Sequence, residues 1–117
     1  LGLLTDSLAD ELDHDRAEKA AWLATLAELG LLAETDQTDP DTIVVALHRY
    51  VARTPSRLLN LALVDAVGDR RTQNQPGTVD EYPNWRVPLT DADGELLFLE
   101  EMFTSTRVAQ LCREISR

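Results

Sequence analysis

The chain has 117 residues and a formal net charge of -10, which argues against nucleic acid or an anionic membrane as a partner, because phosphate contacts need Lys or Arg. Its single cysteine, Cys112, excludes an intramolecular disulfide within these residues, no signal-peptide pattern opens the given sequence, and no apolar run reaches membrane-spanning length. We therefore expect a cytoplasmic protein of one ordinary domain. Because the chain begins at Leu1 and its only methionine is Met102, we also expect a piece of a larger protein.

The first predicted element is an amphipathic helix over residues 7–29. Its apolar residues recur with helical spacing, and Gly30 directly after it is typical of a glycine C-cap. Asp13 can cap the main part of this helix, and Asp6 or Ser7 can open a weaker upstream piece. We expect the helix to end at residue 29, before a polar connector.

A second amphipathic helix is predicted over residues 40–53, with Asp39 as its cap. Residues 58–64 are almost continuously apolar, which fits either a strand buried on both faces or a short buried helix, and periodicity does not separate the two. The length of the run and the Thr-Pro-Ser break before it favour the strand. A buried strand after an amphipathic helix is typical of α/β proteins. We expect an α/β fold that is mostly helical in this chain, with one or two short strands.

An irregular segment over residues 65–95 follows the predicted strand and ends in an Asp-Gly turn. Helical spacing returns over residues 96–116, where Ser105 or Thr106 can cap the last helix. Cys112 lies on the apolar face of that helix, so we expect a small buried hydrophobic residue and not a nucleophile.

Metal and cofactor sites are poorly supported. His14 and His48 stand in separate elements without spaced ligands, and we expect His14 to be solvated and His48 to be half-buried. Residues 89–100 match a calcium-binding loop at several positions, but Leu89 occupies the first ligand position and supplies no oxygen. We expect a plain Asp-Gly turn there and no bound metal.

Within the irregular segment, residues 73–89 combine planar amides, aromatic rings and a forked donor, a set that suits a polyhydroxylated ligand. The residues concerned are Asn74, Gln75, Tyr82, Asn84, Trp85 and Arg86. The alternative is a rigid loop whose Trp and prolines pack onto the body of the protein, and composition alone favours that alternative.

Two stretches, ALHRYVARTPSRLL at residues 46–59 and NQPGTVDEYPNWR at residues 74–86, resemble the C-terminal part of the 4-α-glucanotransferases of glycoside hydrolase family 77. These enzymes are also called amylomaltase or disproportionating enzyme. The combination N-x-P-G-T and P-N-W-R, in that order after R-T-P-S, carries the resemblance. It is sharp over residues 46–89 and looser over the rest of the chain.

The resemblance implies that the chain is the C-terminal fragment of a (β/α)8 TIM barrel. Residues 58–64 would then be the last barrel strand, residues 65–95 a loop at the active-site face, and residues 96–116 the closing helices. Active sites of such barrels lie at the carboxyl ends of the strands.

The resemblance also implies a function: retaining transfer of α-1,4-glucan segments between maltodextrins, without an essential cofactor. Its catalytic carboxylates would lie upstream of Leu1, so no catalytic residue is expected in this chain, which alone should be inactive. The implied partners are maltodextrin and the remainder of the barrel. The alternative hypothesis is an independently folding helical module that binds glucan or a protein partner without catalysis. The residues expected to contact sugar or to support the loop are Asn74, Pro76, Gly77, Asn84, Trp85 and Arg86.

Overall fold

A computed structural model describes residues 7–116, and this part of the chain is mostly helical. It contains no β-strand, only one isolated antiparallel bridge between Thr90 and Leu96. The chain divides into two compact units between Tyr50 and Val51. Among the described helices, none combines the length and the apolar content that a bilayer crossing requires. The helices are α1 (Leu8–Glu28), α2 (Pro40–Ala52), α3 (Leu63–Val67), α4 (Leu99–Thr104) and α5 (Thr106–Ile115), with a short 3-10 turn at Glu34–Asp36.

The prediction of a barrel strand at residues 58–64 is wrong for this structure. Residues 58–62 belong to no helix or strand, Leu58 is 91% exposed, and Leu63–Val67 forms α3. A strand buried on both faces needs a paired backbone on each side, and no described segment supplies one. The apolar run therefore satisfies part of its backbone locally, through the hydrogen bond from Ala66 N to Ala62 O (3.1 Å).

Helix α1 is continuous from its first turn. Ser7 is its N-cap, and the Ser7 hydroxyl accepts a hydrogen bond from Asp10 N (3.2 Å). The cap predicted at Asp13 is wrong, because Asp13 lies inside the helix and pairs with Arg16 at 2.8 Å. The alternative start at Asp6 lies outside the described residues.

The glycine C-cap predicted after α1 is confirmed. Gly30 has a φ of +66°, Gly30 N donates to Ala27 O and Leu31 N donates to Leu26 O, both at 2.9 Å. This double pattern is the Schellman motif, in which a left-handed residue turns the chain away from the helix axis. The turn delivers Leu31 and Leu32 into the core of the first unit, which they share with buried Leu26.

Helix α2 closes this core from the other side. Its predicted cap is confirmed, since the Asp39 carboxylate accepts hydrogen bonds from Thr42 N at 3.2 Å and Asp41 N at 3.3 Å. Ala46 is fully buried against the leucines of the first unit. Partly buried Leu23, Ile43, Leu47 and Tyr50 pack around this cluster.

In the second unit, α5 packs against both α3 and α4. Ser105 separates α4 from α5 and caps α5 as predicted, accepting a hydrogen bond from Val108 N at 3.4 Å. Helical structure begins at Leu99 and not at residue 96, because Leu96 forms the bridge to Thr90. The buried apolar side chains here are Ala66, Val67, Met102 and Leu111.

The burial predicted for Cys112 is wrong, since the thiol side chain is exposed. The buried face of α5 is centred on Leu111, which is 2% exposed. The next residue along a helix is rotated by about 100°, which carries Cys112 away from that face.

Candidate functional site

The irregular segment is closed at its base by a buried carboxylate. The Asp69 side chain is 0% exposed and faces Arg71, whose Nε and Nη2 donate to the two carboxylate oxygens at 3.0 and 2.8 Å. Asp69 also accepts from Arg71 N at 2.9 Å and from Thr90 N at 3.1 Å. Arg71 Nη2 donates in addition to Pro88 O. Asp69 and Arg71 therefore tie the start of the segment to its end; we call them the loop clamp.

The clamp is also an electrostatic unit. The Arg71 hydrogen bonds hold the pKa of Asp69 far below its usual range, aided by the Arg71 and Thr90 backbone N–H groups and opposed by burial. The Asp69 carboxylate in turn raises the pKa of Arg71. Asp69 is therefore ionised at neutral pH, and its charge is neutralised by a hydrogen-bonded guanidinium.

Inside the loop, Asn84 acts as a cross-brace. Its Oδ1 accepts from Gln75 N at 2.7 Å, and its Nδ2 donates to Thr78 Oγ1 at 2.9 Å and to Thr78 O at 3.2 Å. The Tyr82 hydroxyl adds a second cross-link by donating to Thr72 O. The amide of Asn84 is therefore hydrogen-bonded within the loop through both its oxygen and its nitrogen.

Pro76 and Gly77 occupy an exposed turn between the braced positions. Thr78 N donates to Gln75 O at 3.2 Å across the turn, and Gly77 has a φ of +79°. Proline followed by a glycine with positive φ is the composition that a type II turn requires. Pro76 and Gly77 therefore form an exposed turn of the loop.

Trp85 and Arg86 differ from the bracing residues because their side chains are exposed. Trp85 is the one described non-glycine residue with positive φ (60°), and its side chain is 77% exposed. Its backbone is held by the hydrogen bond from Trp85 N to Gln73 O (2.8 Å), while Arg86 beside it is also exposed. A left-handed conformation is strained for a bulky residue, and such strain concentrates at functional sites. Within the described residues the indole stays largely exposed, so the packing that the rigid-loop alternative expects is not seen in this part of the chain.

Two loop features have no counterpart in the sequence prediction. One is the loop clamp. The sequence did contain a signal for it, namely two opposite charges, Asp69 and Arg71, placed two residues apart shortly after the apolar segment. The other is Gln73, whose buried Nε2 has no hydrogen-bond partner within the described residues. An unpaired buried donor is uncommon and costly. Asn74, one of the residues predicted to contact sugar or to support the loop, is half-buried. Its backbone carbonyl accepts a hydrogen bond from Thr72 Oγ1 at 2.6 Å.

The other candidates behave as structural residues. His14 is exposed, and His48 is half-buried with Nδ1 at 2.8 Å from Val44 O. The predicted Asp-Gly turn is confirmed, because the Asp91 carboxylate accepts from Asp93 N at 2.9 Å and Glu95 N at 3.0 Å. In residues 7–116, no group of three or more His, Cys, Asp or Glu is placed to hold a metal ion.

Comparison with known proteins identifies the family to which this loop belongs. Residues 6–93 match the family model of glycoside hydrolase family 77, described as 4-alpha-glucanotransferase. This range includes the whole loop closed by the loop clamp, residues 69–90. The chain belongs to glycoside hydrolase family 77. The resemblance carried by the N-x-P-G-T and P-N-W-R motifs is thus confirmed.

Family 77 relatives extend the match across almost the entire chain. It is 58% identical over 115 residues to proteins named 4-alpha-glucanotransferase from Mycobacterium bovis and from two strains of Mycobacterium tuberculosis. Each alignment covers 98% of this chain and 16% of the relative, so the chain spans about a sixth of the length of these relatives. No solved structure matches it.

Proposed function

We propose that this chain is the C-terminal portion of a 4-α-glucanotransferase, and that its clamped loop, residues 69–90, forms one wall of the glucan cleft. Membership of family 77 and the shared name of the relatives support the activity. The wall is supported by the loop itself, which is rigidly braced inside and presents an aromatic ring and a guanidinium outward.

The proposed reaction is a retaining double displacement. One carboxylate attacks the anomeric carbon and forms a bond to it, while a second carboxyl protonates the oxygen of the leaving glucan. The 4-hydroxyl of an acceptor glucan, in place of water, then attacks the anomeric carbon, gives its proton to the second carboxylate and displaces the first. We call the full-length glucanotransferase the parent. The two carboxyl groups belong to parts of the parent outside this chain, in a (β/α)8 barrel. We further propose maltodextrin as the substrate and a cytoplasmic location, which the single cysteine favours.

Each loop residue has a separate role in this proposal. Trp85 offers an apolar ring face to a pyranose, and Arg86 offers donors to its hydroxyls. Asn84, Pro76 and Gly77 fix the loop backbone, and Asn74 supports it. The observation that carries the assignment is the strained, 77% exposed Trp85 on an otherwise braced loop.

The test is Trp85→Asn in the full-length parent. Asn tolerates the left-handed backbone, so we expect the melting temperature to stay unchanged or to rise. We expect kcat/KM for maltotriose disproportionation to fall about threefold to tenfold, because the stacking surface is lost.

The matched control is Val79→Asn, since Val79 is also 77% exposed on the same loop. We expect its kcat/KM to stay close to that of the wild type. Equal activity of Trp85→Asn and the wild type would refute the glucan-wall role of Trp85, while absence of disproportionation in the wild-type parent would refute the proposed activity.

One observation supports the alternative hypothesis of an independently folding, non-catalytic module: each of the two units buries its own apolar cluster. We expect the 117-residue chain assayed alone to release no glucose from maltotriose, because the reacting carboxylates lie elsewhere. Disproportionation by the chain alone would contradict that placement. Saturable maltodextrin binding with a cooperative melt would favour the module.

A further inference from the structure

A solvent-open hollow of about 270 Å³ lies within the first unit, on one face of α1. Its lining is Glu18, Ala21, Trp22 and Thr25 from α1, spaced at i, i+3, i+4 and i+7, and Tyr50 from α2. The rings of Trp22 and Tyr50 meet at 80° with their centroids 5.6 Å apart. The two rings line the hollow, and the carboxylate of Glu18 lies one helical turn from Trp22. We call this hollow the aromatic corner.

Three polar groups of the aromatic corner have no partner among the described residues: the Glu18 carboxylate, the Trp22 indole N–H and the Tyr50 hydroxyl. Thr25 is different, because its hydroxyl donates to Ala21 O at 2.9 Å. A mostly apolar concave surface with a few uncommitted polar groups is the usual composition of a small-ligand site. Its volume lies just below the lower end of drug-sized pockets, which suits a single ring of a longer molecule.

We propose that the aromatic corner binds one glucose unit of an α-glucan chain. The negative face of an aromatic ring attracts the C–H groups of a pyranose, and the perpendicular second ring covers an edge of the sugar. Hydroxyl groups both donate and accept, so one sugar can donate to Glu18 and accept from Trp22 and Tyr50. The choice of glucan as ligand rests on the proposed function.

A cationic ligand fits the corner less well. The acidic chain and Glu18 would attract Lys or Arg, and aromatic faces bind cations. However, Lys and Arg have no acceptor atom, so they cannot pair with the Trp22 N–H donor. A neutral polyhydroxylated ligand satisfies all three groups.

The test uses the full-length parent in native gels containing glycogen, where binding retards migration. We expect Trp22→Ala and Tyr50→Phe to raise the Kd for glycogen, with Trp22→Ala showing a rise of about threefold to tenfold because it removes the stacking face. Leu12→Ala is the matched control, since Leu12 on the same helix is 43% exposed, close to the 41% of Trp22, and lies outside the hollow. Its retardation should equal that of the wild type.

Glu18→Gln separates the contribution of charge from that of stacking, because glutamine retains a hydrogen-bond acceptor but loses the charge. We expect a smaller loss of glycogen binding than with Trp22→Ala, whereas a larger loss would mean that the charge of Glu18 and not ring stacking carries the binding, and would overturn the proposal. Unchanged retardation of Trp22→Ala, at an unchanged melting temperature, would also overturn it. Maltotriose disproportionation by the wild type in the same preparation tests the proposed function separately, so the two failures are distinguishable.

Discussion

Asp69 shows how a single buried residue organises the candidate site. Its carboxylate has no exposed area and accepts from Arg71 and from Thr90 N, at opposite ends of the loop. Charge-assisted hydrogen bonds of this kind are roughly twice as strong as neutral ones. The loop therefore depends on a side chain that is itself fully buried.

Asp69→Asn should destabilise the protein. Hydrogen bonds to a charged group contribute more than neutral ones, and we expect the free energy of unfolding to fall by about 1.5–3 kcal/mol at pH 7. Chemical denaturation measures this change. Asp93→Asn is the control, because Asp93 is exposed in the same segment and should change stability by less than about 0.5 kcal/mol.

The same variant gives a pH signature with a defined sign. The folded pKa of Asp69 is lowered, so its stabilisation is fully present above the unfolded carboxyl pKa of about 3.9 and is lost as pH falls further toward the folded pKa. The stability gap between wild type and Asp69→Asn should therefore narrow below about pH 4. A gap that is constant from pH 7 to pH 3 would mean that the charge of Asp69 contributes nothing.

At the residue scale, chemistry-bearing side chains could be named from sequence, but their roles could not. Asn84 and Trp85 are adjacent in one motif. The Asn84 amide is hydrogen-bonded to Gln75 and Thr78, whereas the Trp85 side chain is exposed. The different surroundings of these two neighbours follow from the backbone dihedral angles, which the sequence does not give. A positive φ at a tryptophan cannot be inferred from residue type, because glycine and asparagine are the usual occupants.

At the element scale, the end of α1 gives a test of pure backbone conformation. Gly30 has a φ of +66°, and a Cβ added there would meet no atom within 4 Å. We expect Gly30→Ala to lower the free energy of unfolding by about 1 kcal/mol through left-handed strain alone. Gly30→Asn is the control at the same site and should cost less, since Asn tolerates this region. Equal costs for both variants, measured by thermal unfolding, would show that the Schellman turn is not the cause.

The elements differ in how much of them was predictable. Helix α2 and its Asp39 cap follow from local spacing and capping chemistry, which the chain satisfies by itself. The apolar run at residues 58–64 does not, because a strand depends on neighbours that are not among the described residues. Of these two elements, the one whose hydrogen bonds are local was predicted, and the one whose hydrogen bonds require another segment was not.

For the molecule as a whole, the distribution of apolar side chains is unusual. Each unit buries a small cluster, while large apolar residues on and beside α4 stay exposed, including Phe98 and Phe103, the latter at 75%. Leu99 and Phe103 are one turn apart and share a face of α4. Contiguous exposed apolar patches usually mark an interaction surface. Because the relatives are about six times longer, we infer that other parts of the parent cover this face.

Phe103→Ser tests this inference by comparing two contexts. In the 117-residue chain the side chain is already exposed, so we expect a change in unfolding free energy within about 0.5 kcal/mol and weaker binding of a hydrophobic dye. In the full-length parent the ring would be buried, and the same substitution should cost about 1.5–3 kcal/mol or more. Val79→Ser, with a similarly exposed apolar side chain on the loop, should have a small effect in both contexts. A small effect of Phe103→Ser in the parent as well would mean that the face stays open to solvent there.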